Sequence, residues 1–507
     1  MVGIETEYGI LVEGKGAGDL VDEAAALVRA CHFPHVAGWD YLDEHPRRDL
    51  RGFTVDHLAI DPVDARFEQA GRPISTDVSL RSDRVLASGA RLYNDHGHPE
   101  YSTPECTSVR ELVAADRAGE RILHAIARQQ GEATGKQVSL YKNNTDHHGA
   151  SYGTHESYLI RREPAFDALL AVLLPFLVTR QVFAGAGKVG VERAGAKGVD
   201  YQLSQRADHM SVVASVDTLH KRPIVNTRDE PHADPRMFRR LHVICGDANL
   251  CETATFLKVG TTLLVARLLE TGWRPAGLMP ADPVGAFRTI SADPTWKWLI
   301  PREGRGTIGA LEIQSAYLEA ARERFHGSSP ETDQVLDEWE RVLAGLARDP
   351  WSLADTCDWV AKRALLEEFR AAEGLDWSDP VLRSLDIAYH DIDPDAGLYG
   401  GLEQAGAVRR IVGDDEIEAA MVAPPHGSVR ARIRTIAVTR FPEAVRSVNW
   451  SRISVETSPG AVRTVSLAPC DTVDPDRLDA MLAGAVAPAD FVECVERIAR
   501  GAAAGED

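Results

Sequence analysis

The sequence predicts an α+β fold, and three features predict it. Strand-like runs with polar residues in alternation gather mainly in the first half of the chain, at 2–10, 90–95, 137–142, 155–160, 201–205 and 240–245. Helical periodicity covers 107–130, 164–182, 251–270, 309–326, 331–347 and 358–373, where apolar residues recur at three and four. Strands early and helices late favour a mixed or antiparallel sheet beside helices over regular βαβ winding.

The first run, MVGIETEYGI, sets Glu5 and Glu7 two apart, so both carboxylates share one face of a strand. An acid pair facing an interior must be compensated, and cations supply that compensation. Residues 43–84 are charged, proline-interrupted and without long periodicity, which reads as a mobile flap over a site or as plain disorder.

The densest polar constellation is ARLYNDHGHPEYSTPEC, residues 90–106. In a strand, Arg91, Tyr93 and Asp95 point the same way, followed by a Gly-Pro turn and then Glu100 on the next extended piece. A solvated strand face ending in a polar turn has the same composition. In SYGTHESYLI, His155 and Ser157 share a face, and in RRLHVI, Arg240 and His242 share one opposite Leu241 and Val243. A lone histidine on a strand is more often structural than a ligand, but two of them beside an acid pair point to ligand chemistry. Carboxylates, a phenol and imidazoles without thiolates suit Mg²⁺ or Mn²⁺ better than zinc. Because Mg²⁺ usually works with a bound phosphate, a nucleotide is implied.

Gly185-Ala186-Gly187-Lys188-Val189-Gly190 matches GxGxxG but follows a helical run with no helix after it, so it reads as a turn and not a phosphate loop. Near Pro424-Pro425-His426-Gly427 a breaker cluster separates residues 1–423 from a small C-terminal domain, 424–507, with short strands around Trp450 and a terminal helix.

With 44% apolar and 26% charged residues, the 507-residue chain has the composition of a soluble globular protein. A net charge of −20 opposes non-specific nucleic-acid binding and leaves room only for a local basic groove. No leader-like opening and no long uncharged apolar run is present, so a cytoplasmic protein without membrane contact is expected. The seven cysteines are scattered, odd in number and never in a CxxC pair, as expected of reduced, buried thiols.

The stretches GIETEYG, GARLYNDHGHPEYSTPEC, LYKNNTDHHGASYGTHESYL, LSQRADH, NTRDEPHAD and RRLHVICGDANL resemble the actinobacterial Pup ligase and Pup deamidase/depupylase family, which handles the prokaryotic ubiquitin-like protein Pup. The resemblance covers essentially the whole chain. It implies a fold similar to glutamine synthetase and the carboxylate-amine ligases, a curved antiparallel sheet cradling ATP, or ADP plus phosphate, with Mg²⁺. It makes Glu5, Tyr93 and Glu100 metal ligands and His155 and His242 ligands or nucleotide contacts; Glu7, sharing the direction of Glu5 on the strand, would be a second acidic wall. Arg91, Thr103 and Arg240 would hold phosphates, Ser157 and Trp450 would contact the nucleotide, and Asp95 matches the catalytic aspartate.

The spacing from Asp95 to Glu100, one residue shorter than the ligase pattern, and the 43–84 insert favour the deamidase/depupylase branch. GIETE and NNTD read more like the ligase, which is the alternative function. The implied activity converts Pup's C-terminal glutamine to glutamate and cleaves the isopeptide bond to a substrate lysine, with nucleotide required but not consumed stoichiometrically. Pup is acidic, so Arg206, Arg228 and the pairs Lys221-Arg222 and Arg239-Arg240 are candidates for docking it, each also readable as a solvated surface charge.

Overall fold

The computed structural model describes residues 1–59, 81–193 and 198–504. At its centre is a nine-stranded sheet. Its strands in chain order are β1 (Val2–Glu7), β2 (His35–Val36), β3 (Asp83–Leu86), β4 (Arg91–Asp95), β5 (His98–Ser102), β6 (Thr154–Arg161), β7 (Met210–Ser215), β8 (Arg222–Asn226) and β9 (Phe238–Val243). They lie in the order β7-β8-β9-β6-β1-β5-β4-β3-β2. Neighbours run antiparallel except the edge pair β7 and β8, which is parallel with Met210 opposite Arg222, so the sheet is mixed and not purely antiparallel.

Alternation gives the sheet its two faces. Val2 and Ile4 of β1, Tyr158 and Ile160 of β6, and Leu241 and Val243 of β9 are all buried in the main core. There they meet helices α1 (Val109–Thr134), α2 (Phe166–Thr179) and α3 (Glu252–Glu270). Each such aliphatic side chain contributes about 1.5–3 kcal/mol by leaving water. The residues between them, Gly3, Glu5 and Glu7 on β1, are left on the opposite face. Ser108 starts α1 by accepting a hydrogen bond from the Glu111 amide at 3.0 Å, and Gly135, at φ 66°, ends it.

Two strand expectations need correction. The run 2–10 is broken at Tyr8, whose amide donates to the Pro99 carbonyl at 2.9 Å; Gly9–Val12 then leaves the sheet to pair with Val138–Tyr141. Within 201–205 only Tyr201–Gln202 pairs as a strand, because the buried Asp247 carboxylate accepts from the Gln205 amide at 2.9 Å and turns the chain away. The glycine-rich stretch serves packing: a Cβ on Gly187, at φ 74°, would lie 2.0 Å from the Tyr201 hydroxyl.

A second core joins helix α4 (Val429–Arg440) and strands β10 (Val445–Val448), β11 (Arg452–Ser458) and β12 (Ala461–Ser466) to Val36, Trp39, Val85 and Ala87. The C-terminal piece therefore shares its apolar interior with the β3-β2 edge of the main sheet. Backbone bonds strengthen the seam, the Asp40 amide to the Val448 carbonyl at 3.0 Å and the Val448 amide to the Gly38 carbonyl at 3.1 Å.

Of the expected 43–84 flap, residues 60–80 lie outside the described residues. The segment up to residue 59 is tied down: Asp49 is buried and accepts from Thr227 Oγ1 at 2.5 Å, and the Leu50 amide donates to the Thr227 carbonyl at 2.7 Å. Asp83 and Arg84 already belong to β3, so the insert ends earlier than the composition suggests. All seven cysteines are buried and unpaired. Among the described residues no helix is long and apolar enough to cross a membrane.

Candidate active site

The polar face of β1, β4, β5, β6 and β9 lines a cavity of about 460 Å³, within the usual range for small-molecule sites. All fourteen site residues expected from the sequence line it. Strand register sets them in rows, since directly opposed residues share a face about 5 Å apart. His155, Glu5, Ser102 and Arg91 form one row, Glu7, Glu100 and Tyr93 the next, and His242 faces Ser157 across β9 and β6.

Two groups of potential metal ligands result, Glu5 with His155 and His242, and Glu7 with Asp95 and Glu100. Within each group the ligand atoms lie within 4.8 Å of one another. The set Glu5, Tyr93 and Glu100 implied by resemblance is thus divided between two clusters, with the Tyr93 hydroxyl donating to Glu100. His155 and His242 meet edge to face at 5.1 Å. Gly153 makes room for this, because a Cβ there would lie 2.1 Å from His155 Nε2.

The electrostatics fit cation binding. Burial, then the charge of Asp95, pushes the Glu7 carboxyl up to about 8, and burial with Asp95, Glu5 and Glu7 raises Glu100 well above the carboxylate range. Such acids remain costly as anions until a cation joins them. Burial and then the nearby arginines hold the His155 and His242 imidazoles neutral, the form that ligates metals. An all-oxygen cluster beside a mixed oxygen and nitrogen cluster suits Mg²⁺ or Mn²⁺.

Asp95 ends β4, and its carboxylate is 39% exposed at the cavity mouth. The turn that follows is His96-Gly97, not Gly-Pro: both residues have positive φ, 45° and 88°, and Asp95 pairs with His98. This is the two-residue hairpin geometry that matches strand twist. Pro99 instead sits within β5, opposite Asn94.

Arg240 donates to Glu230 at 3.0 Å and lies 3.5 Å from Glu5. Ser157 Oγ is 3.4 Å from the Arg240 guanidinium and 3.5 Å from His242 Nδ1. Thr103 Oγ1 accepts from the Ile4 amide at 3.0 Å beside Gly3. Trp450 enters from the C-terminal piece, with the Arg434 guanidinium 5.1 Å from its ring centre.

For Arg206 the reading as a solvated surface charge is corrected. It is 1% exposed, and it donates to Ser151 Oγ at 2.7 Å, the Tyr152 carbonyl at 3.0 Å and the Ile244 carbonyl at 3.1 Å, so it forms the cavity floor. Burial lowers it to about 10. Arg228 also faces the cavity, donating to Thr218 Oγ1 at 3.0 Å. Of the two cationic pairs, Arg222 and Arg239 are buried as well.

Sequence reasoning missed Glu44, Tyr41, Glu230 and Arg430, which also line the cavity. Glu230 lies inside the quoted NTRDEPHAD stretch and could have been singled out there. Arg430 sits on a C-terminal helix whose pattern carries no such signal.

The family model described as Pup-ligase protein matches residues 1–454. The chain is 43% identical over 464 residues to the depupylase of Acidothermus cellulolyticus, covering 89% of this chain and 90% of that one. It is 39% identical over 468 residues to the Pup deamidase/depupylase of Mycobacterium tuberculosis, covering 89% and 90%. The Pup–protein ligase of Nakamurella multipartita is 43% identical over 397 residues, covering 76% and 87%. Among solved structures, the ligase PafA in complex with Pup matches with a TM-score of 0.76 and 31% identity, covering 99% of this chain and 92% of that one. PafA in complex with ADP matches with a TM-score of 0.72 and 33% identity, covering 88% and 95%. A whole-length fold match, a family model spanning nine-tenths of the sequence and relatives at these identities place this chain in the Pup-ligase protein family.

Proposed function

We propose that this chain is a Pup deamidase/depupylase. It converts the C-terminal glutamine of Pup to glutamate and cleaves the isopeptide bond between Pup and a substrate lysine. It works in the cytoplasm, with bound nucleotide and Mg²⁺ and without stoichiometric ATP consumption. The observation that carries this branch over ligation is the hairpin Asp95-His96-Gly97-His98. An added residue would break the two-residue turn and re-aim Asp95 against Glu100. The longer sequence match to the Acidothermus cellulolyticus depupylase, 89% of this chain against 76% for the Nakamurella multipartita ligase, agrees.

Both reactions act on one side-chain carbonyl, so one site serves both. Asp95 either attacks that carbonyl, giving a mixed anhydride that water then hydrolyses, or deprotonates the attacking water; each route adds water across the C–N bond and releases ammonia or the lysine amine. Arg206 on the cavity floor and Arg228 beside it would meet the terminal residue of Pup and the charge developing on its carbonyl oxygen. Glu5, Tyr93 and Glu100, together with Glu7, His155 and His242, would hold Mg²⁺, which would supply a Lewis acid there when bound. Arg91, Thr103, Ser157, Arg240 and Trp450 hold the nucleotide. The sheet acts as a curved cradle of the glutamine-synthetase type, 1–423 as the catalytic domain and 424–507 as a small domain closing the nucleotide side.

The test is incubation with ATP, Pup ending in glutamine and a pupylated protein. Ammonia and released free protein are expected. Conjugate formation with stoichiometric ADP would assign the ligase instead, and no turnover would leave a nucleotide-dependent Pup-binding protein.

A further inference from the structure

Trp39 touches two parts of the cavity wall at once. The Arg91 guanidinium carbon lies 4.0 Å from the centre of its ring and 3.7 Å from the centre of Tyr93's, so the cation is held by aromatic faces. The edge of Trp39 meets Trp450 at 5.1 Å and 72°.

Arg91 is 6% exposed; its Nη2 donates to the Tyr41 hydroxyl at 3.0 Å, while its Nε has no hydrogen-bond acceptor among the described residues. A buried guanidinium held by rings and a phenol keeps its charge for an anion entering the cavity.

Trp39 is itself locked in place. Its amide donates to Asp83 Oδ1 and its Nε1 to Glu44 Oε1, both at 2.8 Å, and its backbone bridges to Val448 of β10. Its position is therefore set jointly by the main sheet, the start of the insert and the C-terminal piece.

We propose that Trp39 is a positioning residue for anion recognition, holding Arg91 toward the phosphate end of a nucleotide while braced against Trp450. One rigid unit then reads both the phosphates and the ring system of the ligand. This rests on the nucleotide reading of the cavity given above.

Calorimetric titration of the purified full chain with ATP, ADP and adenosine tests it, using Trp39→Leu, Trp39→Phe, Arg91→Ala and the double variant Trp39→Leu/Arg91→Ala. Trp39→Leu is expected to weaken ATP and ADP by about tenfold, in line with a desolvated cation–π contact, and adenosine by much less. Trp39→Phe, which keeps a ring face, is expected to restore most of the loss. In the Arg91→Ala background, Trp39→Leu should cost little more, the sign of a coupled pair.

Tyr41→Phe alters a half-exposed ring outside the core, so it carries the test even if Trp39→Leu does not fold. It is expected to weaken ATP more than adenosine. Equal losses for ATP and adenosine, or the same Trp39→Leu loss with and without Arg91, would make Trp39 mere packing and overturn the proposal. Failure of the unsubstituted protein to bind ATP or ADP would overturn the nucleotide reading and this inference with it, a result distinct from either.

Discussion

Glu7 stands directly opposite Glu100 across the paired strands β1 and β5, two carboxyls on the cavity face with a third, Asp95, within ligand distance of both. Like charges this close destabilise the empty site and favour a bound cation. Glu7→Gln should therefore raise the thermal midpoint of the metal-free protein and weaken its stabilisation by Mg²⁺ by at least about tenfold in apparent affinity. Thermal unfolding across a Mg²⁺ titration checks both signs; a lower metal-free midpoint would count against the cluster as a cation site.

Asp95 lies at the cavity mouth, where its carboxylate is exposed at the end of β4. Asp95→Asn is expected to lower ammonia release from Pup by at least about 10²–10⁴-fold while leaving ATP affinity nearly unchanged. Single-turnover reaction in ¹⁸O-water then tests direct attack: label found in Asp95 itself marks an anhydride opened at the aspartyl carbonyl, whereas label only in Pup fits both an activated water and an anhydride opened at Pup's carbonyl.

Gly153 and Gly401 make opposite predictions. A Cβ at Gly153 collides with the His155 ring, so Gly153→Ala should displace that imidazole and lose most metal-dependent turnover. At Gly401, in the helix Leu398–Gln404, nothing lies within 4 Å of an added Cβ, and Gly401→Ala should stabilise by about 0.5–1 kcal/mol. Paired activity and denaturation measurements distinguish the outcomes.

Acid sensitivity should reside partly at Glu192. Burial alone would raise its carboxyl, but His209, the charge of Lys188 and the Thr145 hydroxyl outweigh burial and hold it far below its ordinary 4.5. Its stabilisation is complete above the unfolded value and is lost as the pH falls toward the folded one. Urea unfolding between pH 7 and pH 5 should be insensitive to this group. Below about pH 4.5 the unsubstituted chain should lose stability faster than Glu192→Gln, in which Lys188 still pairs with Asp208 at 2.6 Å.

Period and strand alternation made much of this legible. The run 358–373 is the helix Asp358–Glu373, and 331–347 is the helix Pro330–Arg348, because each apolar stripe packs on the main core. The shared direction of Glu5 and Glu7, and of Arg240 and His242, follows from the two-residue period of an unbroken strand.

Sequence alone did not reveal that β1 would lie centrally between β5 and β6, since pairing order depends on contacts far apart in the chain. For the same reason Arg206 could not be told from a surface charge. Its burial depends on carbonyls contributed by residues 152 and 244. The seam between Trp39 and Val448 was hidden likewise.

The central place of β1 also bears on how the chain is made. Glu5 and Glu7 leave the ribosome well before β5 and β6 exist to flank them, and Trp450 later still. A nascent chain therefore carries its acid pair on an unpaired strand until β6, ending at Arg161, has emerged, and no product that stops short of Trp450 can hold nucleotide in the finished geometry. Such distant pairings fold slowly. Ligand capture should come as one of the last steps in the birth of this protein, a safeguard against premature chemistry on Pup.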